Sequence, residues 1–445
     1  MADITLVNLS YSFKEREDPQ SLVPLGSLYL IAALERKGYR VDFRDYQLNR
    51  FDEPFRTESL VAFMEGSGDV LGVSCCSDLL PFALAALSRV KAGSPGKRII
   101  LGGVGPTGVA EHIVERFSFI DLVVVGEGER TLVDIVDIVD SVDFVDRVSA
   151  VPGVVFCRGG VAFRTASRPR IGFLDREPLP AYHAVELGDY QVLGLVSARG
   201  CPFRCGFCDA APFWEYRVSR RSVDCVVREI KEIHSRFPGK NIQLYDETFT
   251  LSKGRVLAFC RRLKEEGLDV RWSVMTRVDL MDEELMAAMA DSGCFMVLYG
   301  IESGSDRVLG KMGKRYTVAG ARETIKRSLD YFWVWTPVIW GFPFESMVDF
   351  FLTLHFVEEV TVDGAVPLLY QLAPFPLSPL YAQYKDTLEF SPELYRSCHL
   401  IHNPEVMELI ASFPTVFSGF CHYGPGNVPA KYPEARRRGS IPFLP

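Results

Sequence analysis

Three cysteines in one short loop carry the clearest chemistry in this chain. Cys201, Cys205 and Cys208 have the spacing C-x3-C-x2-C. Three thiolates at this spacing can bind three irons of a four-iron cluster and leave the fourth iron open, whereas a fully protein-bound cluster uses four cysteines. An open iron can chelate a small molecule and pass it an electron. The alternatives are buried thiols or zinc ligands, but zinc usually takes four ligands from paired clusters, and no second pair lies nearby in the sequence.

The sequence around this loop predicts an open barrel. Over residues 191–377, short apolar runs alternate with amphipathic helical segments, which is the pattern of parallel strands joined by helices. Six such units in about 180 residues are too few for the usual eight-unit barrel, so we expect a (β/α)6 partial TIM barrel. Its first strand runs directly into the cysteine loop. The predicted strands lie near Val192–Ser197, Ile242–Tyr245, Arg271–Met275, Phe295–Gly300, Val334–Ile339 and Val366–Leu372.

Another α/β unit is predicted before the barrel. Residues 1–145 alternate strand-like and helix-like patterns, which indicates a doubly wound parallel sheet of the Rossmann-like type, with a ligand crevice at the carboxyl ends of its strands. Residues 146–190 contain scattered prolines and are interpreted as a connector with a small hairpin around residues 158–160. In residues 378–445, prolines interrupt two predicted helices. This last segment is interpreted as a mainly helical appendage.

Composition and charge exclude several classes of protein. A chain of 445 residues that is 48% hydrophobic can build two or three packed domains. A net charge of −8 argues against a nucleic-acid partner, which would call for a basic domain. The chain start shows no signal-peptide pattern and no apolar stretch approaches the ~18 residues that span a bilayer, so we expect a cytoplasmic protein without a membrane partner. The eleven cysteines are therefore interpreted as reduced thiols and a metal site.

The cysteine loop and the strand ends after it resemble the radical S-adenosylmethionine (SAM) enzymes. In that family the amino acid end of SAM fills the open position on the cluster. The resemblance extends through Arg221-Ser222, Tyr245-Asp246-Glu247-Thr248-Phe249-Thr250, Thr276-Arg277-Val278-Asp279, Gly300-Ile301-Glu302-Ser303-Gly304 and Trp340-Gly341-Phe342-Pro343-Phe344-Glu345.

The resemblance implies a role in SAM binding for several of these residues. Asp246 and Glu247 follow the second strand, where the family meets the SAM amino group, but the Gly-Gly of the commonest form is missing, so either carboxylate could make the contact. Arg277 and Glu302 are implied as partners of the SAM carboxylate and of its ribose or amine, with an ordinary ion pair as the alternative. Phe207 can pack on the adenine or belong to the loop core. The expected SAM-binding set is Phe207, Tyr245, Asp246, Glu247, Arg277, Glu302 and Gly341, the last because glycine lets the backbone approach the adenine.

The predicted strands of the N-terminal unit are followed by glycine-containing turns: Pro24-Leu25-Gly26, Ile100-Leu101-Gly102-Gly103 and Gly126-Glu127-Gly128-Glu129. With these turns, the N-terminal unit resembles the cobalamin (B12)-binding domain that precedes many radical SAM enzymes. Its glycine turns could instead belong to a related domain without a ligand. Many corrinoid proteins place a histidine below the cobalt, but the first histidine here, His112, lies beyond the loops after the first three strands. The resemblance therefore implies base-off cobalamin without a protein histidine ligand. The expected cobalamin-binding residues are Pro24, Leu25, Gly26, Ser74, Gly102, Gly103, Val104, Gly126, Glu127 and Gly128.

Together the two resemblances imply a cobalamin-dependent radical SAM enzyme with a [4Fe-4S] cluster. Such an enzyme would cleave SAM reductively, attack an unactivated carbon of a small-molecule or peptide substrate, and most often add a methyl group by way of methylcobalamin. A flavodoxin or ferredoxin is implied as electron donor. Radical rearrangement or cyclisation, with or without cobalamin, is the alternative on this scaffold. A tRNA methylthiotransferase would need more cluster cysteines and a basic tail, and a non-catalytic corrinoid carrier would have no use for an open iron.

Overall fold

The N-terminal unit is a sheet of seven strands covered by helices. The computed structural model describes residues 3–11, 21–395 and 399–439. The strands are β1 (Ile4–Leu9), β2 (Val41–Asp45), β3 (Val70–Cys75), β4 (Arg98–Gly102), β5 (Leu122–Val124), β6 (Val154–Arg158) and β7 (Val161–Arg164). The helices are α1 (Leu25–Arg36), α2 (Thr57–Phe63), α3 (Leu80–Gly93), α4 (Val104–Thr107), α5 (Ala110–Arg116), α6 (Gly128–Val136) and α7 (Phe144–Val148).

The order of the strands confirms the doubly wound fold. It is β2-β1-β3-β4-β5-β6-β7, and the first five strands pair in parallel. Strands β1, β3, β4 and β5 are mostly apolar and buried, as expected where helices cover both faces of a sheet. The edge strand β2 is more polar and only partly buried. The carboxyl ends of β1, β3 and β4 therefore meet at one edge, where the predicted ligand crevice lies.

The N-terminal sheet extends beyond residue 145. The predicted hairpin is present as β6 and β7, but β6 pairs antiparallel with β5 and so belongs to the sheet. Val154 and Val155 are fully buried, because this strand covers what would otherwise be an open edge. The chain that links the two units therefore begins only after Arg164.

The second unit is the partial barrel, and its six parallel strands follow the predicted order. Their order in the sheet is β15-β14-β13-β12-β11-β8. The numbers β9 and β10 belong to two short strands that are not part of this sheet. The strands are β8 (Val192–Leu195), β9 (Ala198–Arg199), β10 (Ser219–Arg220), β11 (Asn241–Leu244), β12 (Trp272–Thr276), β13 (Cys294–Tyr299), β14 (Trp333–Trp340) and β15 (Val366–Gln371). The helices are α8 (Ala210–Phe213), α9 (Val223–Arg236), α10 (Lys253–Glu265), α11 (Glu283–Asp291), α12 (Asp306–Lys311), α13 (Val318–Ser328) and α14 (Met347–Asp363).

The N-terminal unit contacts the barrel beside β8, the edge strand of the barrel sheet. Leu22 forms a parallel bridge with Val192, and the hydroxyl of Tyr190 donates a hydrogen bond to Asp45 over 2.8 Å. The side chain of Gln47 is bonded to the backbone of Leu22. These contacts cover an edge that a six-stranded barrel would leave open, and they place the crevice of the first unit beside the mouth of the second.

The C-terminal segment is helical, as expected, with one small pair of strands. It contains α15 (Pro379–Tyr384), β16 (Leu388–Glu389), α16 (Pro404–Ser412), β17 (His422–Tyr423) and α17 (Val428–Arg437), and β16 pairs antiparallel with β17. Within the ranges described above, no helix is long and apolar enough to cross a membrane.

Candidate functional site

The cysteine loop leaves the barrel directly after β9 and lies at the carboxyl end of the sheet. Cys201, Cys205 and Cys208 are each partly exposed and free of disulfides. The thiol of Cys201 lies 3.5 Å from the hydroxyl of Thr248, and the guanidinium of Arg277 lies 3.9 Å from the sulfur of Cys205. The loop is therefore held between the ends of β11 and β12.

The thiols fit a cluster better than a single ion. Among the described residues, no three Cys, His, Asp or Glu side chains converge closely enough for one metal ion. A four-iron cluster does not need such convergence, because each thiolate binds a different iron. Burial raises the pKa of the Cys205 thiol, against the opposing charges of Lys314 and Arg277, and raises that of Cys208 to about 12. Bound iron supplies the positive charge that stabilises a thiolate at such positions.

The structure separates the two acidic residues after β11. Asp246 is buried, and one of its oxygens accepts hydrogen bonds from the backbone amides of Ser197 and Ala198 over 2.7 and 2.9 Å. Its other oxygen accepts from the Ser197 hydroxyl. Glu247 instead accepts one hydrogen bond from the amide of Gly200 over 2.8 Å and lines an open cavity. The hydrogen bonds of Asp246 therefore stabilise the chain directly after β8, whereas the Glu247 carboxylate remains accessible to a ligand.

Arg277 is held rigidly beside the cluster loop. Its guanidinium forms two parallel hydrogen bonds to the Asp279 carboxylate over 2.9 and 2.8 Å and lies 3.9 Å from the centre of the Phe203 ring. The arm that faces Cys205 makes no bond to a carboxylate among the described residues. A bidentate pair fixes the plane of the guanidinium, so this arm stays directed at the cysteine loop.

Glu302 lies in a strained and fully paired environment at the end of β13. Its backbone has a φ of +73°, which is uncommon for a residue with a side chain and typical of functional sites. Its carboxylate forms a 2.9 Å ion pair with Lys314, and both side chains are almost completely buried. Burial lowers the pKa of Lys314, but the Glu302 carboxylate offsets this and leaves the pKa above its ordinary value. Lys314 therefore stays charged.

Phe207 and Gly341, two of the residues expected to bind SAM, make different contacts in the structure. The Phe207 ring packs edge-on against Phe342 at 6.1 Å and lies 5.8 Å from the ammonium of Lys314. Gly341 has a φ of +94°, and a Cβ added there would lie 3.0 Å from Val428 of α17. The glycine thus permits close packing of the C-terminal segment, in addition to the contact with adenine that the sequence suggests.

A cavity of about 400 Å³ lies between the two units. The barrel contributes Val196, Ala198, Arg199, Tyr245 and Glu247 to its wall. None of the described residues that line it is a histidine. Nine of the ten residues expected to bind cobalamin also line it: Leu25, Gly26, Ser74, Gly102, Gly103, Val104, Gly126, Glu127 and Gly128.

Comparisons with known proteins identify both units. A family model of the radical SAM superfamily matches residues 195–357, and a model of the B12 binding domain matches residues 17–136. The chain belongs to the radical SAM enzymes that carry a B12-binding domain.

Several proteins are similar to this chain in sequence or in fold. An uncharacterized methyltransferase of Pyrococcus horikoshii is 29% identical over 67% of this chain and 65% of its own length. An anaerobic magnesium-protoporphyrin IX monomethyl ester cyclase of Rubrivivax gelatinosus is 27% identical over 95% of this chain and 77% of its own. The solved structure of the methyltransferase TsrM from Kitasatospora setae, with tryptophan and a SAM analogue bound, has a TM-score of 0.71 at 18% identity and covers 96% of this chain and 86% of its own. The chain spans just under two thirds of the Pyrococcus protein, and the likeness to TsrM shows the fold.

In this radical SAM enzyme, three expected site residues have surroundings that the sequence did not indicate. Tyr245 lines the cavity between the units, its ring lies against Gly194 of β8, and its buried hydroxyl has no hydrogen-bond partner among the described residues. Glu127 lines the cavity, but its carboxylate is bonded to Arg199 and to the amide of Ile171. Pro24 is buried at the residue before α1 and does not line the cavity.

Sequence reasoning missed two buried cations of the site, Lys314 and Arg199. Lys314 lies after α12, with no motif around it, and only the fold brings it to Glu302. Arg199 directly precedes Gly200-Cys201, and the acidic turn that it contacts, Gly126–Glu129, was already known from the sequence. An arginine next to the cluster loop and an acidic turn at a strand end were the sequence signals from which this ion pair could have been predicted.

Proposed function

We propose that this chain is a cobalamin-dependent radical SAM enzyme that methylates an unactivated carbon of a small-molecule or peptide substrate. The observation that carries the proposal is the shared cavity. Residues expected to bind cobalamin and two residues expected to bind SAM, Tyr245 and Glu247, line the same space. Two cofactors that act on one carbon must hold it between them, since most of the advantage comes from fixed proximity.

The cofactors supply reductive cleavage of SAM at the cluster and a methyl group carried by cobalamin. The residues of this chain would bind and position these cofactors. Cys201, Cys205 and Cys208 would bind the cluster and leave one iron free for the amino acid end of SAM. Glu247 would accept a hydrogen bond from the SAM amino group, and Arg277 would donate to its carboxylate.

The walls of the cavity would limit the access of water to the space between the cofactors. Its lining is predominantly apolar, including Val196, Leu132, Phe213 and Trp214. A reactive species formed in such a site is protected from quenching by solvent, and polar contacts at its edge are stronger than they are in water. The polar groups that remain, Tyr245 and Glu247 among them, can orient a substrate.

Methylation is favoured over cyclisation by the relatives that are named methyltransferases, including TsrM. A relative named as a cyclase also matches most of this chain, so cyclisation is the alternative outcome of a product assay. A flavodoxin or ferredoxin would supply the electron that the cluster passes to SAM.

Anaerobic reconstitution tests the proposal. The chain is incubated with iron, sulfide and hydroxocobalamin, desalted, and its iron and cobalt are counted beside an ultraviolet–visible spectrum. We expect a four-iron cluster and near-stoichiometric base-off cobalamin, and 5′-deoxyadenosine on addition of SAM and dithionite. Cys201→Ala should lose the cluster, whereas Cys157→Ala, a substitution in β6 remote from the loop, should retain it. A chain that forms a cluster but retains no cobalt would contradict the cobalamin assignment.

A further inference from the structure

The guanidinium of Arg199 joins the two cofactor-binding units inside the protein. It lies 3.0 Å from the carboxylate of Glu127 and 2.7 Å from that of Glu129. The aromatic ring of Tyr29, in α1, lies below it at 4.6 Å. The side chains of Arg199, Glu127 and Glu129 are all at least nine-tenths buried. One cation of the barrel therefore contacts two elements of the B12-binding domain, α1 through Tyr29 and the start of α6 through Glu127 and Glu129.

A second layer of contacts fixes the acidic turn. The other oxygen of Glu127 accepts a hydrogen bond from the amide of Ile171 over 2.8 Å. The guanidinium of Arg170 lies 3.7 Å from the same carboxylate and donates to the carbonyl oxygen of Arg217 over 2.7 Å. Because Gly126, Glu127 and Gly128 line the cavity, these contacts set the position of its wall.

On the other side, Arg199 is rigidly connected to the cluster loop. Only Gly200 separates it from Cys201. Gly200 has a φ of +100°, and a Cβ there would lie 2.0 Å from the carbonyl oxygen of Arg217. Its amide is bonded to Glu247. Because this short segment is closely packed and hydrogen-bonded, we expect a displacement of Cys201 to displace Arg199 as well.

We propose that Arg199 is a positioning residue that couples cobalamin binding to assembly of the cluster. The inference rests on the proposed function and adds to it. The cluster would fix Cys201, Cys201 would fix Arg199 through Gly200, and Arg199 would hold the Gly126–Glu129 turn in the arrangement that receives cobalamin. Coupling of this kind is reciprocal, so bound cobalamin also favours the ordered cluster loop.

Coupling and a purely structural ion pair predict different results. If Arg199 only stabilised the interface, its removal would weaken cobalamin binding equally with and without the cluster. If Arg199 couples the two sites, its removal abolishes the increase in cobalamin affinity that the cluster causes. The ratio of two dissociation constants therefore separates the two roles.

The experiment measures the dissociation constant of hydroxocobalamin for the full-length chain, with and without the reconstituted cluster, by anaerobic absorption titration. In the wild type we expect the cluster to tighten binding about fivefold or more, at the lower end of typical coupling between sites. Arg199→Met should bring this ratio close to one. Glu129→Gln, which removes one charge and keeps an oxygen acceptor, should reduce the ratio partly and serves if Arg199→Met does not fold.

Arg89→Met is the matched control. Arg89 also bridges two glutamates of different elements, Glu58 and Glu405, at 2.7 Å each, but on the surface, and its loss should leave the wild-type ratio. An unchanged ratio in both Arg199→Met and Glu129→Gln, or a wild-type ratio of one, would overturn the inference. Failure of the cluster-loaded wild type to bind hydroxocobalamin would instead contradict the proposed function.

Discussion

Some of the residues that stabilise this site are buried charged side chains that no sequence motif identifies. The motif residue Glu302 was expected to contact SAM, yet its carboxylate is paired with Lys314 at 2.9 Å. Removing one member of a buried ion pair is costly because it leaves the other charge without compensation. Tyr316, which donates to the carbonyl oxygens of Gly300 and Ile301 over 3.0 Å, further fixes this turn. Lys314 therefore supports the strained backbone of Glu302.

Lys314→Met should destabilise the barrel more than a surface charge change does. It leaves Glu302 buried and unpaired, which costs about 3–5 kcal/mol. The double variant Glu302→Gln/Lys314→Met removes the unpaired charge and should recover part of that loss. Urea unfolding under anaerobic conditions, together with hydrogen exchange in residues 300–316, measures the effect.

Lys253→Met provides the comparison for that change. Lys253 pairs with Asp282 at 2.5 Å and Glu284 at 2.7 Å, but these side chains are exposed, so its loss should lower the free energy of unfolding much less than Lys314→Met does. Equal destabilisation by Lys314→Met and by the double variant would show that the unpaired Glu302 charge is not the cause.

At the scale of elements, periodicity predicted most of the fold. The six barrel strands and the parallel N-terminal sheet follow from the alternation of short apolar runs with helical segments, and the structure confirms them. The boundary near residue 145 was harder to place, because β6 and β7 look like an isolated hairpin and only long-range pairing with β5 joins them to the sheet. Motif spacing likewise identified the cysteine loop but left open whether Asp246 or Glu247 faces a ligand, since that depends on the amides of Ser197 and Ala198.

The cluster loop offers a test with two glycines. Gly200→Ala would place a methyl group 2.0 Å from the carbonyl oxygen of Arg217 at a φ of +100°, so the loop must shift. Gly206→Ala meets only Leu380 at 3.5 Å, an ordinary contact. We expect Gly200→Ala to lose most of its iron on reconstitution and Gly206→Ala to retain it, measured as iron per chain after desalting. Normal iron content in Gly200→Ala would contradict the close packing of this segment.

At the scale of the whole molecule, separate parts of the chain complete one site around the barrel. The N-terminal unit covers the edge strand β8, and the C-terminal segment packs against the turn after β14. These contacts join residues far apart in sequence, so no local pattern could reveal them. Lys431 of α17 illustrates this, because its ammonium donates to the carboxylate of Glu345 over 2.9 Å and to the carbonyl oxygen of Gly426 over 2.7 Å. The same carboxylate accepts from the amide of Gly341 over 2.8 Å.

Lys431→Met should therefore loosen both the C-terminal segment and the Gly341 turn. Lys431 and Glu345 are completely buried, so the substitution leaves a carboxylate without its counter-charge, at a cost of about 3–5 kcal/mol. Hydrogen exchange should accelerate in residues 341–345 and 424–437 together, and SAM binding should weaken if the turn contacts adenine. Arg438→Met, at the exposed end of the same helix, removes surface pairs with Glu434 and Glu358 and should leave both segments protected. Faster exchange in α17 alone would show that the C-terminal segment does not stabilise the Gly341 turn and that contacts within the barrel are enough to order this turn.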